Sequence, residues 1–227
     1  MEKRQNNTAW IGILFILATL AGSLAAAITP SAEIMADRLT QFAASPWQIT
    51  VSAFLQFLMA VSCAGIGLAF WPVLRRYNEG WAISIAGFRL VEGVIQVLVG
   101  AGTVAMLSVS KSFVSAGSVH APFFLALGSL IQSASNWLVD GPMLLAWCIG
   151  ALMYYGIFFR YHLVPRWLSV WGLAGIVLTI MVSLASMLGF YPEPDGIRFA
   201  AFFPIALQEM VFAIWLIARG IKSTALA

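Results

Sequence analysis

Three ionisable residues lie inside long apolar stretches of this sequence: Arg89, Glu92 and Glu209. A charge at the centre of a membrane-spanning helix costs about 2.5–3.5 kcal/mol on the insertion scale, so such side chains are expected to face other helices and not lipid. One arginine cannot neutralise two carboxylates, and the second carboxylate requires a proton, a cation or water beside it. The sequence therefore predicts a polar site inside the protein that can hold a ligand or an ion.

The residues around Arg89 share one face of a predicted helix. At about 100° per residue, four polar positions fall within an arc of about 60°: Arg89, Glu92, Gln96 and Thr103. Arg89 and Glu92 are i, i+3 neighbours, so their side chains can pair. Glycines flank this face and let a neighbouring helix approach closely. We predict ligand-binding residues at Arg89, Glu92, Gln96 and Glu209.

The chain as a whole has the composition of a helical membrane protein. Of its 227 residues, 61% are hydrophobic and 9% are charged, whereas charged residues make up about a quarter of a soluble domain. We predict an all-α fold, a polytopic membrane helical bundle that forms a single domain over residues 1–227. The six expected transmembrane helices cover residues 8–29, 48–71, 81–108, 141–160, 166–190 and 199–220.

Two connections between these spans are long enough to hold one or two outer interfacial helices. Segment 29–44 begins with Thr-Pro, which suits a helix cap and first turn. Segment 121–139 is apolar, and we expect an interfacial or partly re-entrant helix there. A seventh span is the alternative, but it would leave no room for a hairpin before the next span. Asp140 precedes a Gly-Pro pair and is expected to cap the helix that follows.

The placement of basic residues predicts the orientation of the bundle. With a cytoplasmic N-terminus, eight lysines and arginines lie on the cytoplasmic side and three on the outer side, as the positive-inside rule requires. Both termini are then cytoplasmic. The same placement explains the net charge of +3 without a nucleic-acid partner. Segment 8–29 follows Lys3 and Arg4. It is longer than the 7–15 residues of a signal-peptide core, so we expect it to remain as the first span.

Other polar residues within the predicted spans have a simpler interpretation. Gln56 and Gln208 are expected to pair neighbouring helices. Cys63 and Cys148 are expected to be small buried residues and not a disulfide or a metal pair. Pro204 lies only a few residues into the sixth span, so we expect it to bend a longer helix.

The sequence lacks the motifs of the common catalytic and metal sites. No HExxH, nucleophile elbow, Walker loop or CxxC occurs. The three lysines lie outside the predicted spans, which excludes a retinal Schiff base within the membrane. His120 and His162 fall on opposite sides of the membrane and cannot share a metal. We therefore predict no catalytic and no metal-binding residues, and the sequence defines no cofactor.

Several stretches resemble a bacterial membrane family called domain of unknown function 4386: "GFRLVEGV", "YHLVPRWLSVWGLAGI", "PIALQEMVFAIWLIARG" and "AGIGLAFWPVLRRYNEGWAIS". The resemblance covers nearly the whole chain. The positions that match the recurring pattern of the family are Arg89, Glu92, Pro165, Arg166, Trp167 and Glu209. The resemblance implies a multi-pass protein of the bacterial plasma membrane, and it implies no activity, substrate or cofactor.

Three classes of function are compatible with these residues. We expect a non-enzymatic binding or transport protein whose polar intramembrane site holds a small amphipathic molecule, a proton or a cation. The first alternative is an accessory structural subunit of a larger membrane complex, with a membrane protein as its partner. The second is a membrane-embedded enzyme that uses Glu92 and Glu209 as acid and base. In each case the lipid bilayer is the surrounding partner.

Overall fold

The protein is a bundle of α-helices in the computed structural model, which describes residues 2–116, 120–188 and 195–221. Within these ranges there are eight α-helices, one π-helical turn and no strand. The helices are α1 Glu2–Ile28, α2 Met35–Ala44, α3 Pro46–Leu74, α4 Glu79–Ser115, α5 Ala121–Leu138, α6 Leu144–Tyr161, α7 Arg166–Met187 and α8 Asp195–Ala218. The π-helical turn, Val139–Met143, joins α5 to α6. The predicted all-α bundle is therefore confirmed.

The helices have the length and composition of membrane spans. Five apolar segments are long enough to cross a bilayer: Thr8–Ile28, Pro46–Leu74, Glu79–Ser115, Ala121–Tyr161 and Arg166–Ala185. A shorter apolar helix covers Phe202–Ala218. Large hydrophobic side chains are exposed along the outward faces, including Phe54, Val94 and Leu98. This surface suits lipid, and the protein is a multi-pass membrane protein.

Local sequence signals set the start of the two helices that position the site. Pro46 lies in the first turn of α3, where its missing N–H is not needed. The side chain of Asn78 accepts a hydrogen bond from the backbone N–H of Trp81 at 3.0 Å and caps α4. Glu79 adds a negative charge to the first turn of α4, which the helix dipole favours.

An aromatic core fills one half of the bundle. Phe15 of α1 lies 6.2 Å from Phe70 of α3 and 5.5 Å from Phe212 of α8, measured between ring centroids. Tyr154 of α6 lies 5.2 Å from Phe70. Because these rings come from four helices, the core fixes the positions of α1, α3, α6 and α8 around α4.

Helix α4 is much longer than the hydrocarbon core of a bilayer is thick. At 1.5 Å per residue, the 37 residues of α4 span about 55 Å, whereas the hydrocarbon core of a bilayer is about 30 Å thick. Leu39 and Phe42 of α2 are buried together with Met106 and Val109 of α4. We call α2, α5 and residues 103–115 of α4 the helical head. The end of the bundle that carries this head is called the α2 end.

The structure corrects the expectation for residues 121–140. A helix is present at Ala121–Leu138, but it continues through the π-helical turn into α6 instead of ending before it. Asp140 therefore lies inside a continuous helical segment and does not cap the helix that follows, so that expectation was wrong. No separate seventh span is needed, because α5 and α6 together form one long helix.

Helix bounds at the C-terminal side differ slightly from the predicted spans. Helix α7 ends at Met187, and residues 189–190 of the predicted fifth span lie outside the described residues. Helix α8 begins at Asp195, so Pro204 lies within a longer helix, as expected. Cys63 and Cys148 are both buried and form no disulfide.

Candidate functional site

Arg89 is the centre of a polar cluster buried in the bundle. Its Nη1 lies 3.0 Å from Oε2 and 3.3 Å from Oε1 of Glu92, one turn along α4. Only 2% of Arg89 and 5% of Glu92 are exposed. The predicted i, i+3 pairing is therefore confirmed, and the pair lies where lipid and bulk water do not reach it.

Close packing between α3 and α4 helps to hold Arg89 in place. Gly67 of α3 lies against Arg89, and a Cβ atom added to Gly67 would come within 2.7 Å of the Cβ atom of Arg89. A Cβ atom added to Gly93 would come within 2.9 Å of the carbonyl oxygen of Ala60 in α3. The glycines therefore let α3 and α4 approach closely beside Arg89.

Glu209 of α8 is the second carboxylate of the cluster. Its Oε1 lies 3.9 Å from Nη2 of Arg89, and 13% of its side chain is exposed. The indole N–H of Trp147 in α6 donates a hydrogen bond to the same oxygen at 3.2 Å. Glu209 thus contacts the guanidinium at a greater distance than Glu92 does, and from another helix.

Aromatic side chains complete the surroundings of the guanidinium. Nη2 of Arg89 donates a hydrogen bond to the hydroxyl oxygen of Tyr154 at 3.2 Å. The guanidinium carbon lies 5.3 Å from the ring centroid of Phe15 and 5.6 Å from that of Tyr154, within the range of cation–π attraction. Nε of Arg89 has no hydrogen-bond partner among the described residues. Arg89 therefore connects helices α1, α4, α6 and α8.

The charges of the cluster do not balance. In the part of the chain that the structure describes, Arg89 is the one basic side chain that forms an ion pair with Glu92 or Glu209. With both carboxylates ionised, the cluster carries a net negative charge in surroundings of low dielectric constant, where this is costly. The described residues include no group of three or more histidine, cysteine or acidic side chains arranged to hold a metal ion. The chemistry that suits the cluster is the binding of a proton or a small cation.

The remaining polar residues named from the sequence lie close to this cluster or tie helices together. Gln96 is 6% exposed and lies one turn beyond Glu92 along α4, but it makes none of the contacts of the cluster. Gln208 bonds to residues outside the cluster: it accepts a hydrogen bond from Tyr155 at 2.6 Å and donates one to the carbonyl of Leu168 at 3.0 Å. The predicted helix-pairing role of Gln208 is confirmed.

Gln56 also pairs helices as expected. Its Nε2 donates to Oγ1 of Thr103 in α4 at 3.1 Å and to Oγ of Ser52 at 3.3 Å. The Oε1 atom of Gln56 is buried, and no residue in the described part of the chain donates a hydrogen bond to it. Ser52 in turn lies 2.7 Å from Oγ1 of Thr29 at the end of α1. A second, neutral polar network therefore joins α1, α3 and α4 on the α2 side of the cluster.

Two residues of the cluster were not identified from the sequence, Tyr154 and Trp147. Both lie in α6, whose composition is almost entirely apolar, so no polar periodicity marks them. The available signal was chemical: a tyrosine or tryptophan buried in the middle of a span needs a partner for its O–H or N–H group. That requirement points to the charged residues on neighbouring helices.

Comparison with known proteins identifies the family of this chain. The sequence profile of the family called domain of unknown function 4386 (DUF4386) matches residues 10–220. No curated protein and no solved structure gives a significant match. The matched region includes Arg89, Glu92 and Glu209 and extends over most of the chain. The chain therefore belongs to the DUF4386 family.

Proposed function

We propose that this protein is a non-enzymatic membrane protein that binds a proton or a small cation at Arg89, Glu92 and Glu209, and that it carries this ion along or across the membrane. The observation that carries the proposal is the unequal sharing of one guanidinium by two buried carboxylates. Glu92 is bonded to Arg89, which leaves the carboxylate of Glu209 with a 3.9 Å ion pair and one indole N–H. Glu209 is the group that accepts the proton or the cation.

Infrared difference spectroscopy tests directly whether Glu209 binds a proton. Protein reconstituted in lipid nanodiscs is acidified, and the carbonyl stretch of a protonated carboxylic acid is recorded in H₂O and in D₂O. We expect a band that is lost in Glu209→Gln. It should also be lost in Glu92→Gln, because Arg89 then faces a single carboxylate and Glu209 needs no proton for charge balance. Glu79, at the start of α4 and away from the cluster, provides the matched control Glu79→Gln.

If Glu209 binds a cation in place of a proton, these measurements give a different result. No carboxylic acid band then appears, and sodium or potassium ions raise the thermal unfolding midpoint of the wild type but not of Glu209→Gln. If neither the acid band nor a Glu209-dependent cation effect is observed, the proposal is wrong. The role of the cluster is then structural.

The structural alternative has an observation in its favour. Arg89 contacts side chains from α1, α6 and α8 as well as its own helix, so the cluster joins helices that are distant in sequence. A purely structural cluster predicts that Glu209→Gln lowers stability without changing any response to pH or cations. Copurification of a stoichiometric membrane-protein partner in mild detergent would support an accessory subunit.

We infer that the protein resides in a bacterial plasma membrane with both termini in the cytoplasm. Exposed arginines gather at the end of the bundle opposite the α2 end: Arg75, Arg76, Arg160, Arg166 and Arg219. By the positive-inside rule this arginine end faces the cytoplasm. Lys222, which the sequence also assigns to this side, lies outside the described residues.

A further inference from the structure

Exposed arginines without an acidic partner lie in two connections at the arginine end of the bundle: Arg75, Arg76, Arg160 and Arg166. We call residues 75–79, between α3 and α4, and residues 160–166, between α6 and α7, the arginine turns. Within the described part of the chain, ion pairs form only at Arg89. The one acidic residue of the arginine turns is Glu79, so positive charge is in excess there.

Direct contacts join the two arginine turns into one surface. The ring centroid of Tyr161 lies 5.1 Å from that of Tyr77, and the Tyr161 hydroxyl donates a hydrogen bond to the carbonyl of Tyr77 at 3.2 Å. The helices beside the turns also pack closely, since a Cβ atom on Gly156 of α6 would lie 3.1 Å from the ring of Trp81 in α4. The arginines of both turns therefore act on the same region of the surface.

The turn between α6 and α7 has a fixed backbone. Leu163 and Val164 are 0% and 2% exposed, so the middle of the turn is anchored in the core. The backbone N–H of Leu163 donates to the carbonyl of Phe158 at 3.2 Å, and that of Leu168 donates to the carbonyl of Pro165 at 3.0 Å. Because the backbone is already ordered, a ligand that binds to side chains of this turn loses little affinity to ordering.

Aromatic rings support the two guanidinium groups of this turn. The guanidinium carbon of Arg160 lies 5.8 Å from the ring centroid of Tyr161, and that of Arg166 lies 5.8 Å from the ring centroid of Phe159. Both distances are within the range of cation–π attraction. No described residue accepts a hydrogen bond from either guanidinium. Their N–H groups are therefore available to an anion, and the planar guanidinium group matches the geometry of a phosphate.

An exposed apolar stripe on α7 starts beside Arg166. Its side chains recur at helical spacing and are between 40% and 64% exposed: Trp167, Val170, Val177, Leu178, Met181 and Leu184. The ring of Trp167 lies 6.3 Å from that of Trp171, and tryptophan is enriched at the interface between membrane and water. A ligand that fits both features has an anionic head and a hydrocarbon tail. A free phosphate ion would use the arginines alone.

We propose that the arginine turns bind the phosphate group of an anionic phospholipid. Arg160 and Arg166 donate hydrogen bonds to the phosphate, Arg75 and Arg76 add attraction, and an acyl chain lies along the apolar stripe of α7. A lipid with net negative charge is preferred, because basic clusters at a membrane surface attract anionic headgroups. The proposal does not depend on the function of the Arg89 cluster.

A comparison of two lipids tests the charge preference. Full-length protein in mild detergent is titrated with phosphatidylglycerol, which is anionic, and with phosphatidylcholine, whose headgroup carries its own positive charge. Native mass spectrometry counts the bound lipids, and the thermal unfolding midpoint reports their effect on stability. We expect saturable binding of phosphatidylglycerol, about tenfold tighter than that of phosphatidylcholine. Inorganic phosphate at the same concentrations should not change the unfolding midpoint, because it lacks the hydrocarbon part.

Variants assign the binding to the turn between α6 and α7. The double variant Arg160→Gln, Arg166→Gln should weaken phosphatidylglycerol binding about tenfold and leave phosphatidylcholine binding unchanged. Lys111→Gln, an exposed position at the α2 end, should change neither. Arg219→Gln removes a positive charge from the arginine end but lies on α8, outside the arginine turns, and should have a much smaller effect than the double variant.

Four results would each overturn the proposal. Equal affinity for the two lipids would show that the headgroup charge is not recognised, and unchanged binding by the double variant would place the lipid elsewhere. An effect of Arg219→Gln as large as that of the double variant would indicate diffuse attraction without a defined site. A shift of the unfolding midpoint by inorganic phosphate as large as that by phosphatidylglycerol would identify a soluble anion as the ligand.

Discussion

Glu92 and Glu209 contact the same guanidinium at different distances and from different helices. Glu92 is one turn from Arg89 on a rigid helix, so its ion pair forms with little loss of conformational freedom. Glu209 reaches Arg89 from another helix and shares its oxygen with an indole N–H. The charge of Glu209 therefore depends on how α8 sits against α4 and α6, which is what an ion-binding or ion-carrying site requires.

Removing Arg89 should destabilise the protein strongly. Arg89→Gln leaves two buried carboxylates without a counter-charge, and breaking a buried pair in this way costs about 3–5 kcal/mol of unfolding free energy. The double variant Arg89→Gln, Glu92→Gln should cost less than the sum of the two single changes, because the uncompensated carboxylate of Glu92 is gone. Unfolding by a denaturing detergent, followed by tryptophan fluorescence, measures these free energies. Arg75→Gln, at an exposed position, is the control.

If the losses of unfolding free energy in the two single variants added up in the double variant, Arg89 and Glu92 would not be each other's main partner. An Arg89→Gln variant as stable as the control would show that Arg89 and Glu92 do not form a stabilising ion pair. Both outcomes differ clearly from the predicted loss.

At the residue scale the sequence identified the charged half of the cluster and missed the aromatic half. Arg89, Glu92 and Glu209 stand out because each would be costly in lipid, and this cost forces them inward and together. Tyr154 and Trp147 are among many aromatic residues in apolar helices, and only the tertiary structure selects the two that contact the charges.

At the element scale, glycines set the distance between α3 and α4. A Cβ atom on Gly93 would lie 2.9 Å from a backbone oxygen of α3, which cannot move without moving the helix. A Cβ atom on Gly87, on the same helix, would meet no atom within 4 Å. These two glycines therefore provide a matched pair in one element.

Gly93→Ala should separate α3 from α4 and destabilise the protein by about 1–3 kcal/mol, the usual cost of overpacking. Gly87→Ala should be neutral, or stabilising by about 0.5–1 kcal/mol, because alanine restricts the unfolded chain and fits the helix. The same detergent-unfolding measurement compares the two. Equal effects of the two substitutions would contradict the close approach of α3 and α4 at Gly93.

The joint between α5 and α6 shows why element boundaries were harder to predict than the elements themselves. A Gly-Pro pair after an apolar run normally marks the end of a helix. Here Gly141 is buried, and a Cβ atom on it would meet the side chain of Met187 of α7 at 3.3 Å. Backbone groups at membrane depth need hydrogen bonds, and continuing as a π-helical turn supplies them. Tertiary packing therefore overrides the local signal.

At the scale of the whole molecule, the bundle has two chemically different ends. The arginine end carries exposed guanidinium groups, and the α2 end carries the helical head. Tyr161 of α6 donates a hydrogen bond to the carbonyl of Tyr77, which fastens the connection between α3 and α4 at the arginine end. Among the described residues, five apolar helices are long enough to cross a membrane and one apolar helix is shorter.

Thiol labelling in intact cells of a bacterial host should reveal which end faces the cytoplasm. Asp37→Cys at the α2 end should react with a membrane-impermeant maleimide from outside, whereas Arg75→Cys and Arg160→Cys should react only after lysis. The background is low because the native thiols of Cys63 and Cys148 are 2% and 0% exposed.

The three reporters test orientation and helix count together. The turn after Leu74 and the end of α6 are separated by two crossings, α4 and the continuous α5–α6 segment, so Arg75→Cys and Arg160→Cys must react alike. Opposite reactions of these two would mean that α5 and α6 cross the membrane separately. External labelling of both, with Asp37→Cys protected, would invert the orientation. The helical head would then face the cytoplasm.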